Sequence, residues 1–213
     1  MQFFFDYISP YAYVAWHEAQ RLAAAHGRPL VPEPIVFAAL LNAHGQKGPA
    51  EIPSKRAYTF KDAFRKAHRA GLPLAPPPSH PFNPLLALRA TLLVPEEERA
   101  LAVTELFRET WGGGGGIETE DAVRAALERV GLRGAELVQR ASDPSTKAEL
   151  RGKTERAIAR GLFGVPTIVV DEELFWGVDG LAFVDAFLKG ADPVPADAEA
   201  RWRDLPASAA RIR

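Results

Sequence analysis

The sequence predicts an α/β fold in which a small mixed sheet is divided by a large all-helical block inserted after the second strand. Three observations predict it. A strand–helix–strand pattern opens the chain between Gln2 and Phe37, and a helix–strand–strand–helix pattern closes it between Lys147 and Leu188. The segments between these two parts read as a succession of helices.

Each element has a local reason. Gln2 to Tyr7 is a short aromatic run suited to a buried strand. Ser9-Pro10 stops it, because Ser9 is a preferred N-cap and Pro10 fits the first turn of a helix. Val14, Ala15, Glu18, Ala19 and Leu22 follow at helical spacing, and His26-Gly27 ends the run. Leu30 to Phe37 alternates loosely around Pro32 and Pro34, which place this second strand at an edge. Ala38 to Ala43 makes a turn or two of helix before His44 to Pro49 break it. Ser54 to Ala70 carries Ala57, Phe60, Phe64 and Ala67 on one helical face. Leu72 to Pro84 holds six prolines and reads as extended loop. Leu85 to Val94 is an apolar helix, and Pro95 with three glutamates starts another that ends near Trp111. Gly112 to Gly116 reads as a hinge, with short helices beyond it at Thr119 to Val130 and Ala135 to Ala141.

Lys147 to Arg160 is a helix closed by Gly161, and Thr167 to Val170 is a strand. Asp171-Glu172-Glu173 makes a turn into a second strand, Leu174 to Trp176, so the pair is a hairpin. Asp179 is placed to cap a last helix with Leu181, Phe183, Val184, Phe187 and Leu188 on its apolar face, and a polar tail follows Gly190. With the helical block removed, the order β-α-β, α-β-β-α is the thioredoxin topology. The expected organisation is a thioredoxin-like domain from 1–38 and 145–200, an inserted helical domain at 39–144, and a C-terminal tail at 201–213.

Composition excludes several classes of function. Lysine and arginine number 26 against 27 acidic residues, so no global field draws nucleic acid or an anionic membrane. No cysteine is present, which removes disulfides, thiolate metal sites and any protein thiol nucleophile. The first residues lack the basic start of a signal peptide, and no apolar run reaches the ~20 residues of a spanning helix. The expectation is a cytoplasmic protein. The five histidines show no metal-ligand spacing, the glycine run lacks the ending of a P-loop, and no serine sits in a hydrolase elbow.

Three positions could carry chemistry. Ser9, at a strand-to-helix turn, is either an ordinary N-cap or a hydroxyl donor beside free N–H groups and a helix dipole of about +0.5 charge, suited to an anion. Val165-Pro166, just before a strand, is either an ordinary trans bond or a cis peptide exposing a short main-chain edge. Asp179 is either the cap of its own helix or half of a zwitterion site, taking an ammonium while helix N–H groups take a carboxylate.

Together, the segments Phe5 to Tyr13, Gly161 to Thr167 and Leu174 to Asp179 resemble the 2-hydroxychromene-2-carboxylate isomerases. The kappa-class glutathione transferases and, more distantly, the periplasmic disulfide oxidoreductases are similar too. The resemblance runs from Gln2 to about Leu188 and implies a thioredoxin-like, glutathione-binding homodimer. It puts Ser9 and Ala12 where redox relatives have their two cysteines, so disulfide exchange is chemically impossible here. It implies that Ser9 hydrogen-bonds the glutathione sulfur, that Val165 before a cis Pro166 pairs with the cysteinyl backbone, and that Val178 and Asp179 hold the γ-glutamyl end. It places Gln46 and Lys55 on glutathione from the helical side, and Asn83 and Arg89 in the second-substrate pocket. Gly180 departs from the family, which commonly has arginine there. The implied activity is isomerisation of a ring-opened aromatic acid by reversible thiolate addition. A kappa-like transferase and a non-catalytic binding module are the alternatives.

Overall fold

The computed structural model describes residues 1–195, 197–206 and 208–209. Four strands form one sheet in the order β2-β1-β3-β4, with β1 at Gln2–Phe5, β2 at Val31–Pro34, β3 at Thr167–Val170 and β4 at Glu173–Trp176. β2 runs parallel to β1, whereas β3 and β4 are antiparallel to their neighbours. Edge placement of β2 is what its sequence demands: Pro32 and Pro34 lack an N–H, and only one side of the strand has a partner.

Helix α1, Pro10–Ala25, connects β1 to β2. Phe3, Phe5, Tyr7 and Trp16 are wholly buried between sheet and helices, where each ring removes enough apolar surface to contribute roughly 2–3 kcal/mol. Between β2 and β3 lie α2 (Phe37–Ala43), α3 (Pro53–Ala70), α4 (Leu85–Leu93), α5 (Glu96–Trp111), α6 (Glu120–Arg129), α7 (Gly134–Arg140) and α8 (Pro144–Ala159). Polar bonds through the core fasten this run of helices to the sheet side. The indole N–H of Trp111 donates to the Tyr7 carbonyl at 2.8 Å, that of Trp16 donates to Thr104 at 2.9 Å, and the Tyr7 and Thr91 hydroxyls meet at 2.7 Å. Helix α9, Leu181–Leu188, and a short α10, Ala198–Arg203, follow β4.

Differences from the sequence expectation have local causes. β1 ends at Phe5 rather than Tyr7, because the Asp6 carbonyl turns back to accept the Ser9 N–H at 3.1 Å. The hairpin turn uses Asp171 and Glu172 only, both at positive φ, a geometry that matches the twist of the flanking strands. Helix α8 starts three residues early, with Pro144 in its first turn. Gly112 to Gly116 is not an open hinge but a wound cap on α5. Gly112 donates to Arg108, Gly115 to the Glu109 carboxylate and Gly116 to the Glu109 carbonyl, at 2.8, 2.7 and 3.1 Å. A Cβ at Gly114 would lie 2.5 Å from that same carbonyl, so the wrap needs glycine. Helix α10 occupies part of the segment read as tail, with Ala198 buried, and residues 207 and 210–213 of the expected tail lie outside the described residues. Among the described residues, no helix is long and apolar enough to cross a membrane.

Candidate active site

Ser9 forms the N-cap of α1, extended at φ −94° and ψ 114°, and its hydroxyl oxygen accepts the Ala12 N–H at 3.1 Å. The cap is therefore real. It uses one lone pair and leaves the hydroxyl proton available to a further acceptor. Ser9 is a lining residue of a cleft of about 580 Å³. Phe37, Ala38 and Leu41 of α2 form one part of its wall, and Lys55, Arg56 and Phe60 of α3 another. Val165, cis to Pro166, lies on the same cleft and also on a second one of about 450 Å³, so the two are contiguous around Tyr11, Val165 and Trp176. Among the described residues, no hydrogen bond uses the Val165 N–H or C=O. Trp176 packs against Phe163 with ring centroids 5.3 Å apart, and its indole crosses Gly164 so closely that a Cβ there would sit 2.6 Å from the indole nitrogen.

The second cleft carries the charge. Tyr11 donates its hydroxyl proton to Asp62 at 2.8 Å, and the Lys66 ammonium lies 3.2 Å from both Asp62 and Asp179. Burial alone would raise the Asp62 carboxyl, but hydrogen bonds from Tyr11 and Lys66 outweigh it and hold the group below the usual range. Burial likewise opposes the Lys66 charge, and its two carboxylate partners reverse that and raise it. Tyr11 is driven well above its ordinary value by burial and then by Asp62, so it stays a phenol.

Two further groups bear on Ser9. His80 reaches the Ile8 carbonyl through Nε2 at 3.0 Å. A carbonyl only accepts, so Nε2 carries the proton and Nδ1 is a buried lone pair without a partner. Burial lowers the imidazole's pKa and keeps it neutral, despite the opposing bond to Ile8. Asp6 is wholly buried, and burial pushes its carboxyl up to about 7, against hydrogen bonds from Phe37 and Ile8 that favour the charge.

Of the residues expected from sequence, the structure brings Ser9, Gln46, Lys55 and Val165 to the first cleft, and Val165, Pro166, Val178 and Asp179 to the second. Asp179 is not the cap of α9: Gly180 holds that position, no side chain caps the helix, and the Asp179 carboxylate is 79% exposed and paired with Lys66. Asn83 and Arg89 line neither cleft. Asn83 is used locally, its amide oxygen accepting the Leu85 N–H at 3.1 Å where α4 begins, and Arg89 lies within α4 with its Nε buried and unpartnered. Sequence reasoning missed Asp6, Arg56, Asp62, Lys66 and His80. Asp6 alone had a readable signal, a carboxylate breaking an aromatic run.

The sheet order and the helix-capping turn at Ser9 define a thioredoxin-like fold with a serine at the head of its first helix. Comparison with known proteins narrows the class. Residues 1–189 match the DSBA-like thioredoxin domain. The 2-hydroxychromene-2-carboxylate isomerase of Sphingobium xenophagum is 31% identical, over 88% of this chain and 97% of that protein. Glutathione S-transferase kappa 1 of Caenorhabditis elegans is 25% identical, over 92% and 93%. A solved structure of 2-hydroxychromene-2-carboxylate isomerase superposes with a TM-score of 0.82 at 24% identity, covering 94% of this chain and 98% of that one. The chain belongs to the DSBA-like thioredoxin domain family and to the 2-hydroxychromene-2-carboxylate isomerase family of enzymes.

Proposed function

We propose that this chain is a glutathione-dependent cis–trans isomerase of 2-hydroxychromene-2-carboxylate or a similar ring-opened aromatic acid. One observation carries the reading: Ser9 at the α1 N-terminus and the unpaired Val165 main chain meet on one cleft, whose wall bears two cations. When bound, glutathione supplies a thiol that adds reversibly to the conjugated double bond, so that the bond can rotate before the thiol leaves. The residues fit such a group. The Ser9 hydroxyl proton and the positive end of α1 favour a sulfur anion and lower the thiol's pKa. Val165 offers an N–H and a C=O to a peptide backbone, as an added strand would use them. Val178 and Asp179 receive the γ-glutamyl end, and Gln46 and Lys55 contact the tripeptide from the helical side.

For the aromatic acid, the first cleft offers apolar wall from Phe37, Leu41 and Phe60. Lys55 and Arg56 have no ion-pair partner among the described residues, so they are the cations of this cleft available to the substrate carboxylate, whereas Arg89 lines neither cleft. The reading includes a homodimer as the working unit and the cytoplasm as its place, both carried by the family resemblance. The kappa-class relative supports a second reading, conjugation of glutathione to the substrate. Incubating the cis acid with and without glutathione, and weighing the product, tests both. An isomer of unchanged mass that forms only with the thiol supports isomerisation; a stable adduct supports transfer.

A further inference from the structure

Asp6 is the last residue before the Ser9 turn, and it is 1% exposed. One carboxylate oxygen accepts the Ile8 N–H at 3.1 Å and the other accepts the Phe37 N–H at 2.9 Å. Its main-chain carbonyl accepts the Ser9 N–H. Phe37 is the first residue of α2, and Val36 before it has no side-chain oxygen with which to cap that helix. Asp6 therefore supplies the missing cap from 31 residues away, through the same carboxylate that fixes the turn carrying Ser9. Ile8 and Phe37 both line the first cleft, one from the turn and the other from α2. Nothing else in the described structure bonds these two N–H groups.

We propose that Asp6 is a positioning residue that locks the Ser9 turn to the α2 wall of the cleft, and that glutathione affinity depends on this lock. The second half rests on the functional reading above; the first half does not. A carboxylate suits the task because each of its oxygens is an acceptor. Asparagine has the same shape but a single acceptor oxygen, so whichever way the amide is turned, one N–H faces an NH₂ and one tie is lost. The bonds made by Ser9 itself, its hydroxyl to the Ala12 N–H and its N–H to the Asp6 main-chain carbonyl, do not use the Asp6 side chain and remain. The loss therefore falls on binding rather than on turnover at saturation.

The experiment compares wild type with Asp6→Asn at pH 8.5, where the Asp6 carboxyl is ionised, by amide hydrogen exchange, calorimetric titration with glutathione, and kcat against KM. The expected result is a cooperative melt and exchange at Ile8 or Phe37 faster by at least about tenfold. Glutathione affinity should fall by about tenfold, while kcat at saturating thiol stays within about twofold. Unchanged protection of both amides overturns the lock, and unchanged affinity despite lost protection overturns its role in binding. If Asp6→Asn does not fold, the wild type decides. Glutathione should then slow exchange at Ile8 and Phe37 together, and no slowing at either overturns the proposal. A wild type that binds no glutathione removes the functional reading, whereas a wild type that binds while Asp6→Asn binds equally well removes this inference alone.

Discussion

Lys66 and Asp179 stand 3.2 Å apart, joining α3 to the loop between β4 and α9 across the mouth of the second cleft. Asp62 shares the same ammonium, so two carboxylates meet one lysine there, with the Arg65 guanidinium near enough to act on Asp62. A ligand with an α-amino acid head fits this balance, its ammonium on the exposed Asp179 and its carboxylate on the remaining Lys66 proton.

Lys66→Met keeps the stem and removes the charge. Affinity for glutathione should fall by about tenfold, the effect of one charge-assisted bond, while cysteinylglycine, which lacks the γ-glutamyl head, binds as before. Calorimetric titration with both thiols measures the difference. Equal losses for the two would place Lys66 outside the head-group site.

Ser9 has two roles that substitution separates. Ser9→Gly stays within a few tenths of a kcal/mol as an N-cap, whereas Ser9→Ala loses about 1 kcal/mol of stability. Both lack the hydroxyl, so both should lose on the order of 10²-fold in kcat/KM, the effect of one removed donor at a charged centre. Thermal melts and isomerase rates of the two variants are the check. Activity that follows stability would reduce Ser9 to a cap.

Folding stability should depend on pH through Asp6. Its folded value of about 7 lies above the ordinary 3.8, so the native state holds the proton more tightly than the unfolded chain. The resulting stabilisation is complete below about pH 4 and is lost as pH rises through 7, a difference of roughly 4 kcal/mol. Urea unfolding at pH 4, 6 and 8 should show this decline in wild type relative to Asp6→Asn. Parallel profiles would mean that the carboxyl is not raised.

Arg56 and Lys55 should act on substrate capture. Arg56→Ala and Lys55→Ala are each expected to raise KM for the aromatic acid by several-fold with little change in kcat, and added salt should shrink the effect. Steady-state kinetics at low and high ionic strength test it.

The sequence carried the architecture because its punctuation is strong. Proline pairs set β2 at the edge, Ser9-Pro10 opened α1, and the Thr167–Trp176 hairpin needed only its turn shortened by one residue. Ser9, Val165 and Asp179 were readable as candidates because they lie at element ends, where local rules apply. Lys66, Asp62, Arg56 and His80 were hidden because each sits in a helix or loop that reads as solvated surface. Only the packing of α3 over the β4–α9 loop turns that face toward the cleft. Asn83 and Arg89 came from the resemblance and not from a local rule. They lie near the expected segment, but one is consumed at the start of α4 and the other lies along that helix, clear of the clefts.

The proposed isomerase depends on Ser9 and the α1 N-terminus favouring a bound sulfur anion. Thiolate absorbance of enzyme-bound glutathione, followed against pH, reads this directly. Wild type should titrate well below the ~8.5 of a free thiol, and Ser9→Ala should return toward it. An unshifted curve in wild type, or the same shift in both proteins, would contradict it.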